Sequence, residues 1–170
     1  NKTGSKRANI IIVTKCPKDI SKEEKNRIKN KLSVLKHQKI FFSYIKYKLP
    51  VNYLNEKIEK LSQKEKYFLL TGIGSSKPLL NYLIKSKIKF SHFKYSDHHD
   101  FKQRELERLI QKGKSRKIKN LILTEKDFYR LSKSKLNMIS SYFNLLVLKI
   151  EFDFIIEEKT MFNEQIRKFI

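Results

Sequence analysis

The sequence is short of cysteine, of long apolar runs and of negative charge. Cys16 is the single cysteine in 170 residues. That excludes a disulfide framework and any cysteine-rich zinc site, and it points to a reducing compartment. No run approaches the roughly 18 apolar residues of a membrane-spanning helix. The longest purely apolar stretches, such as 10–13 and 145–148, are only a few residues. No signal peptide opens the chain: Asn1 is not an initiator methionine and its neighbours are polar and basic. The chain is therefore expected to begin inside a longer protein. The G-x-x-x-x-G-K-[ST] phosphate loop, the kinase-type glycine loop and the G-x-S-x-G elbow are all missing.

What is present is cationic. Lys plus Arg is 39 against 17 for Asp plus Glu, a net charge of +22. Of those cations 32 are Lys and 7 are Arg. Readers of nucleic-acid sequence lean on Arg for bidentate contacts. Here Lys is spread along the whole length, alongside much Ile and Asn, the mixture an AT-biased genome encodes. A solvated Lys-rich surface is the first expectation. Attraction to anionic membranes or to nucleic acid is the second. With 39% hydrophobic residues, the chain has enough apolar surface for a core.

Strand and helix patterns alternate. Residues 9–14 read as a buried β-branched strand, 39–47 as a strand ended by Pro50, and 51–61 as a loop with a short helix. Residues 67–71, 88–95, 121–123 and 145–150 read as further strands. Ser21 with Glu24, Asp100 with Gln103 and Thr124 with Asp127 have capping-box spacing and open three helices. These are expected over 21–35, up to about 112, and after 124. Pro78 suits the first turn of a helix running to about residue 85. Residues 163–170 read as a terminal helix. The expectation is an α/β fold, a mostly parallel sheet flanked by helices in a Rossmann-like three-layer arrangement. A boundary is expected near Pro17 or Pro50.

Three clusters follow strands, where ligands sit in such sheets. The first is Gly72-Ile73-Gly74-Ser75-Ser76-Lys77. It is either a turn presenting N–H groups to a phosphate or a tight turn needing glycine for backbone reasons. Lys77 stands where the dinucleotide fingerprint needs its third glycine. The second is Asp97-His98-His99-Asp100. Asp97 with His98 suits a general base or the orienter of one, whereas Asp100 reads as a helix cap. Nothing in the spacing suggests a metal site. The third is Thr124-Glu125-Lys126-Asp127, which reads equally as a cap and as a phosphate contact. His37, His92 and Cys16 read as structural, and Phe41, Phe42, Tyr44 and Tyr47 mostly as core.

These clusters carry a resemblance. I-I-I-V-T-K-C-P at 10–17, G-I-G-S-S-K-P-L-L-N-Y-L at 72–83, F-K-Y-S-D-H-H-D-F at 93–101 and L-T-E-K-D-F-Y-R at 123–130 resemble, in order, the C-terminal half of the tetraacyldisaccharide 4'-kinases. That family phosphorylates the lipid A precursor in Gram-negative bacteria. The resemblance implies the C-terminal domain of a two-domain P-loop-type kinase. Residues 1–50 would be the end of the nucleotide-binding domain and its linker, and 51–170 the C-terminal α/β domain. It implies that ATP and Mg²⁺ are bound mainly by a half lying upstream of Asn1, so that this segment alone is inactive. His98 would pair with an aspartate of that half to activate the sugar hydroxyl, with Asp97 beside it. His99 is not carried over. Gly72, Gly74, Thr124, Glu125, Lys126 and Asp127 would contact substrate or phosphate. The implied partners are the acylated disaccharide phosphate and the anionic surface of the inner membrane, at its cytoplasmic face, with no specific nucleic acid. Two alternatives stand beside it. One is a basic nucleic-acid-binding module. The other is an Asp-His-His phosphoesterase, which would need further aspartates as manganese ligands.

Overall fold

The computed structural model describes residues 4–168. It forms two compact units, one made of residues up to 46 together with those from 151 onward, the other of residues 47–150.

The first unit is built on a three-stranded sheet in the order β1-β2-β8: β1 (Ile10–Cys16), β2 (Lys39–Tyr47) and β8 (Ile150–Phe154). β1 runs parallel to β2, with Ile12 opposite Phe41. β2 is the central strand and carries the buried rings, Phe41 and Phe42. Phe41 meets Phe162 edge-on at 5.2 Å. Phe162 belongs to α6 (Ile156–Arg167). α1 (Lys22–Leu32) starts where Ser21 Oγ accepts from Glu24 N at 3.1 Å, as the capping spacing predicts. It stops at Ser33, in the left-handed region at φ 51°. Lys25 and Glu158 tie α1 to α6 at 2.6 Å. β1 lies at the sheet edge and leaves Ile12 43% exposed, so the expected buried strand is only half covered.

The second unit holds a five-stranded sheet ordered β3-β7-β6-β4-β5: β3 (Val51–Asn52), β4 (Lys66–Thr71), β5 (Lys89–Lys94), β6 (Asn120–Thr124) and β7 (Asn144–Leu148). Pairings β4–β5, β4–β6 and β6–β7 are parallel, whereas β3 runs antiparallel to β7. Alternate residues of β4 serve opposite faces, as the two-residue period of a strand requires. Tyr67 and Leu69 pack with Leu79 and Leu83 of α2 (Lys77–Lys85). Phe68 and Leu70 pack with Leu106 and Leu109 of α3 (Gln103–Arg116), and with Leu136 and Ile139 of α5 (Lys133–Ser140). The α/β expectation of sheets flanked by helices holds, but in two sheets rather than one.

Several local expectations change. No helix forms over 51–61. Buried Asn52 instead organises a loop, its Nδ2 donating to Glu59 Oε1 at 2.7 Å and to Asn144 Oδ1 at 2.6 Å. Asp100 does not cap α3. Its carboxylate pairs with Lys135 at 2.9 Å, and α3 is capped by Lys102 N donating to Glu105 Oε2 at 2.8 Å. α3 also runs through Gly113, expected in a loop, because only a residue without Cβ fits there against Tyr142 and Phe143. The single helix expected after Thr124 is two, α4 (Glu125–Arg130) and α5, the latter restarted by a Ser132 cap. β8 has no counterpart among the expected strands. The expected helix over 163–170 begins earlier, at Ile156, and its last two residues lie outside the described residues. Among the described residues, no helix is long and apolar enough to cross a membrane.

Candidate functional site

The site lies at the carboxyl ends of β4, β5 and β6. After Thr71 the chain leaves β4 towards α2 on one face of the sheet. After Thr124 it leaves β6 towards α4 and α5, and α5 packs on the other face. Adjacent strands whose connections depart to opposite sides open a crevice at their carboxyl ends. The loop after β5 folds back over it. Tyr95 N donates to Thr71 O at 2.8 Å, and His98 N to Gly72 O at 3.1 Å.

Asp127 fills the base of the crevice and is fully buried. Its Oδ1 accepts from Gly72 N at 3.0 Å and its Oδ2 from Thr124 Oγ1 at 2.6 Å. Thr124 Oγ1 in turn accepts from Asp127 N, which closes the helix cap that the spacing predicts; such a cap contributes about 1 kcal/mol. Burial pushes the Asp127 carboxyl above its ordinary pKa, although Thr124, Gly72 and Arg130 pull the other way. Gly72 favours this approach, since a Cβ there would stand 3.2 Å from both Asp127 Oδ1 and Phe101 Cζ, a tight contact that the two side chains would have to relieve.

Arg130, one turn along α4, completes the crevice. Its Nη1 donates to Gly72 O at 2.6 Å and lies 3.4 Å from Asp127 Oδ1. Its Nη2 lies 3.3 Å from His98 Nδ1. The sequence reading did not single it out. The available signal was its i+3 spacing from Asp127 within T-E-K-D-F-Y-R.

His98 stands at the rim. Its backbone is left-handed at φ 59°, a conformation uncommon outside glycine and found clustered at functional sites. Its N donates to Asp97 Oδ1 at 3.1 Å, and its Nε2 is 3.9 Å from Asp97 Oδ2. Its side chain is 76% exposed. A Cβ on Gly74 would come within 2.9 Å of Asp97 Oδ2, so that glycine makes room for the carboxylate.

The rest of the second cluster turns away. His99 Nε2 bonds Glu105 Oε2 at 2.8 Å, and its ring stacks on Tyr95 at 4.5 Å. Glu125 faces Lys149 at 3.6 Å, and Lys126 is exposed. His92 meets Thr71 Oγ1 at 2.7 Å within the sheet, and His37 is exposed. Cys16 Sγ donates to Val13 O at 3.4 Å, and burial raises its thiol pKa. Among the described residues, no three His, Cys, Asp or Glu side chains converge as a metal site would require.

The family model described as tetraacyldisaccharide-1-P 4'-kinase matches residues 1–170. A tetraacyldisaccharide 4'-kinase of Flavobacterium johnsoniae is 38% identical over 137 residues, 80% of this chain and 39% of the relative. One of Flavobacterium psychrophilum is 35% identical, over 94% of this chain and 44% of the relative. One of Phocaeicola vulgatus is 34% identical, over 98% and 47%. The chain thus spans less than half the length of these curated relatives. No solved structure matches. With the family model matched from end to end, the chain belongs to the tetraacyldisaccharide-1-P 4'-kinase family.

Proposed function

We propose that these residues are the C-terminal part of a lipid A 4'-kinase. The complete enzyme would transfer the ATP γ-phosphate to the 4'-hydroxyl of a tetraacyldisaccharide 1-phosphate. The observation that carries the reading is the placement of His98. A proton-handling ring stands exposed at the carboxyl ends of a largely parallel sheet, on a strained backbone, with a carboxylate beside it. His98 would act on the sugar hydroxyl, as its general base or as the orienter of one. Asp97 fixes the His98 backbone and supplies negative charge next to the ring.

Gly72, Thr124 and Asp127 act as the frame of the crevice through the bonds they make to one another. Gly74 clears space for Asp97. Glu125 holds Lys149, which leaves exposed Lys126 as the member of its cluster to meet a phosphate of the substrate. The residues present do not fit ATP with Mg²⁺. The sequence has no phosphate loop, and the described residues form no carboxylate cluster. Both would be bound mainly by a half of the enzyme outside these residues, with residues 1–50 the end of that nucleotide-binding domain and its linker, and 51–170 the C-terminal α/β domain. Phosphoryl transfer depends on positioning and on charge neutralisation, so this segment alone would not turn over. The +22 charge suits a phosphorylated lipid at the anionic cytoplasmic face of the inner membrane. Neither alternative gains an observation: Phe41 and Phe42 are buried, Tyr44 and Tyr47 are half-buried with Tyr47 already stacked on Tyr82, and His99 and Asp100 are engaged by Glu105 and Lys135.

The test is His98→Ala in the complete enzyme. Turnover should fall roughly a hundredfold or more, with an unchanged thermal midpoint. Unaltered turnover would remove His98 from the mechanism. Lipid phosphorylation by the 170 residues alone would overturn the assignment of the nucleotide site to another segment.

A further inference from the structure

Arg130 serves two sides: one nitrogen of its fork faces Gly72 O and Asp127, and the other faces His98. A guanidinium carries five N–H donors and no acceptor, and it stays protonated. The ring nitrogen facing Nη2 at 3.3 Å, Nδ1, must therefore present its lone pair. In a neutral imidazole the proton is then on the other nitrogen. That nitrogen, Nε2, lies 3.9 Å from Asp97 Oδ2, beyond hydrogen-bond length, on a side chain open to solvent. Arg130 is itself fixed. Its Nη1 is held by Gly72 O at 2.6 Å and by buried Asp127 at 3.4 Å, and its side chain is only 21% exposed. An exposed ring is thus met by a largely buried partner that is held from behind.

We infer that Arg130 is a positioning residue that holds His98 in the Nε2–H tautomer and sets the aim of its ring. The inference deepens the proposed role of His98 and chooses between its two forms. With Nδ1 engaged and Nε2 protonated, the exposed nitrogen is a donor. His98 then offers a hydrogen bond to an approaching carboxylate or hydroxyl oxygen, and orients the base rather than serving as it. Asp127 and Thr124 extend the same chain inward: Thr124 fixes Asp127, Asp127 and Gly72 fix Arg130, and Arg130 fixes the ring.

The experiment uses the complete enzyme labelled with ¹⁵N-histidine. The His98 signal is assigned by its loss in His98→Gln. Long-range ¹H–¹⁵N correlations at a pH where the ring is neutral should show Nδ1 unprotonated and Nε2 protonated, as one tautomer. In Arg130→Met both tautomers should appear. The same variant should lose roughly ten- to a hundredfold in kcat, the scale of losing a group that orients a functional histidine, with KM within about twofold. Arg130→Lys, which keeps a charged donor group but not the planar fork, should recover part of the loss. A wild-type ring protonated at Nδ1 would overturn the inference. So would an Arg130→Met enzyme with a lowered melting temperature but normal kcat, which marks a merely structural arginine. Should Arg130→Met not fold, the wild-type tautomer and Arg130→Lys still decide. The failure of His98 as a functional residue would show separately, as normal turnover in His98→Ala with the tautomer still fixed.

Discussion

Thr71 and His92 share a 2.7 Å hydrogen bond across β4 and β5, and this contact carries a pH dependence. Burial, aided by the Lys94 charge, lowers the His92 pKa below its ordinary value. In the window between that lowered value and the unfolded value near 6.5, the unfolded chain binds more protons than the folded one. Stability therefore rises with pH through the window and is lost as pH falls through it. Thermal midpoints of wild type and His92→Gln between about pH 7.5 and 5 should diverge, the wild type losing more on acidification. Parallel curves would show that His92 charges without cost. Legibility at this scale was uneven. His98 and Asp97 stood out because adjacent acid and imidazole groups after a strand are chemically conspicuous. Arg130 did not, being one of 39 cations and distinguished only by what the fold sets against it. Asp100 was misread because α3 starts two residues later than its spacing implied, with Lys102 at the cap, and its carboxylate instead pairs with Lys135, 35 residues on.

Elements were legible where one local signal dominated. Ser21 and Thr124 cap the helices their spacing predicts, because a side-chain oxygen reaching an unpaired N–H is a local event. α3 shows the opposite case. Gly113 looks like a helix end, yet the helix continues because α3 packs against the Tyr142 and Phe143 rings there. A Cβ at 113 would lie 2.6 Å from Tyr142 Cε1 and 2.7 Å from Phe143. Alanine normally favours a helix interior over glycine by up to about 1 kcal/mol, but overpacking a closed core costs about 1–3 kcal/mol. Gly113→Ala should therefore lower stability in denaturant titrations. Unchanged or raised stability would mean the two rings give way. Over 51–61 the loop was expected but the short helix does not form: buried Asn52 accepts from Leu54 N and ties the segment to Glu59 and Asn144.

Over the whole molecule the dominant property is charge. The Lys residues are dispersed, so attraction to an anionic surface should be long-ranged and screened by salt, with about 1 kcal/mol for each Lys that nears the lipid. Sedimentation with vesicles of mixed neutral and anionic lipid should show binding that disappears towards about 0.5 M salt, where the screening length falls to a few ångströms. Purely neutral vesicles should not be bound. Salt-independent binding would point instead to insertion of apolar side chains. The sequence by itself determined the charge, the alternation of strands and helices, the local caps and the motif set that marks the family, because each depends on residue type and short spacing. Only the tertiary structure decided that the chain divides into two units, with the segment after 150 rejoining the first. It also decided that Gly72, Asp127, Arg130 and His98 form one connected group, which spans 58 residues from Gly72 to Arg130. Those contacts follow from the order of strands in the sheet and the opposed departures of its loops, which no short window of sequence contains.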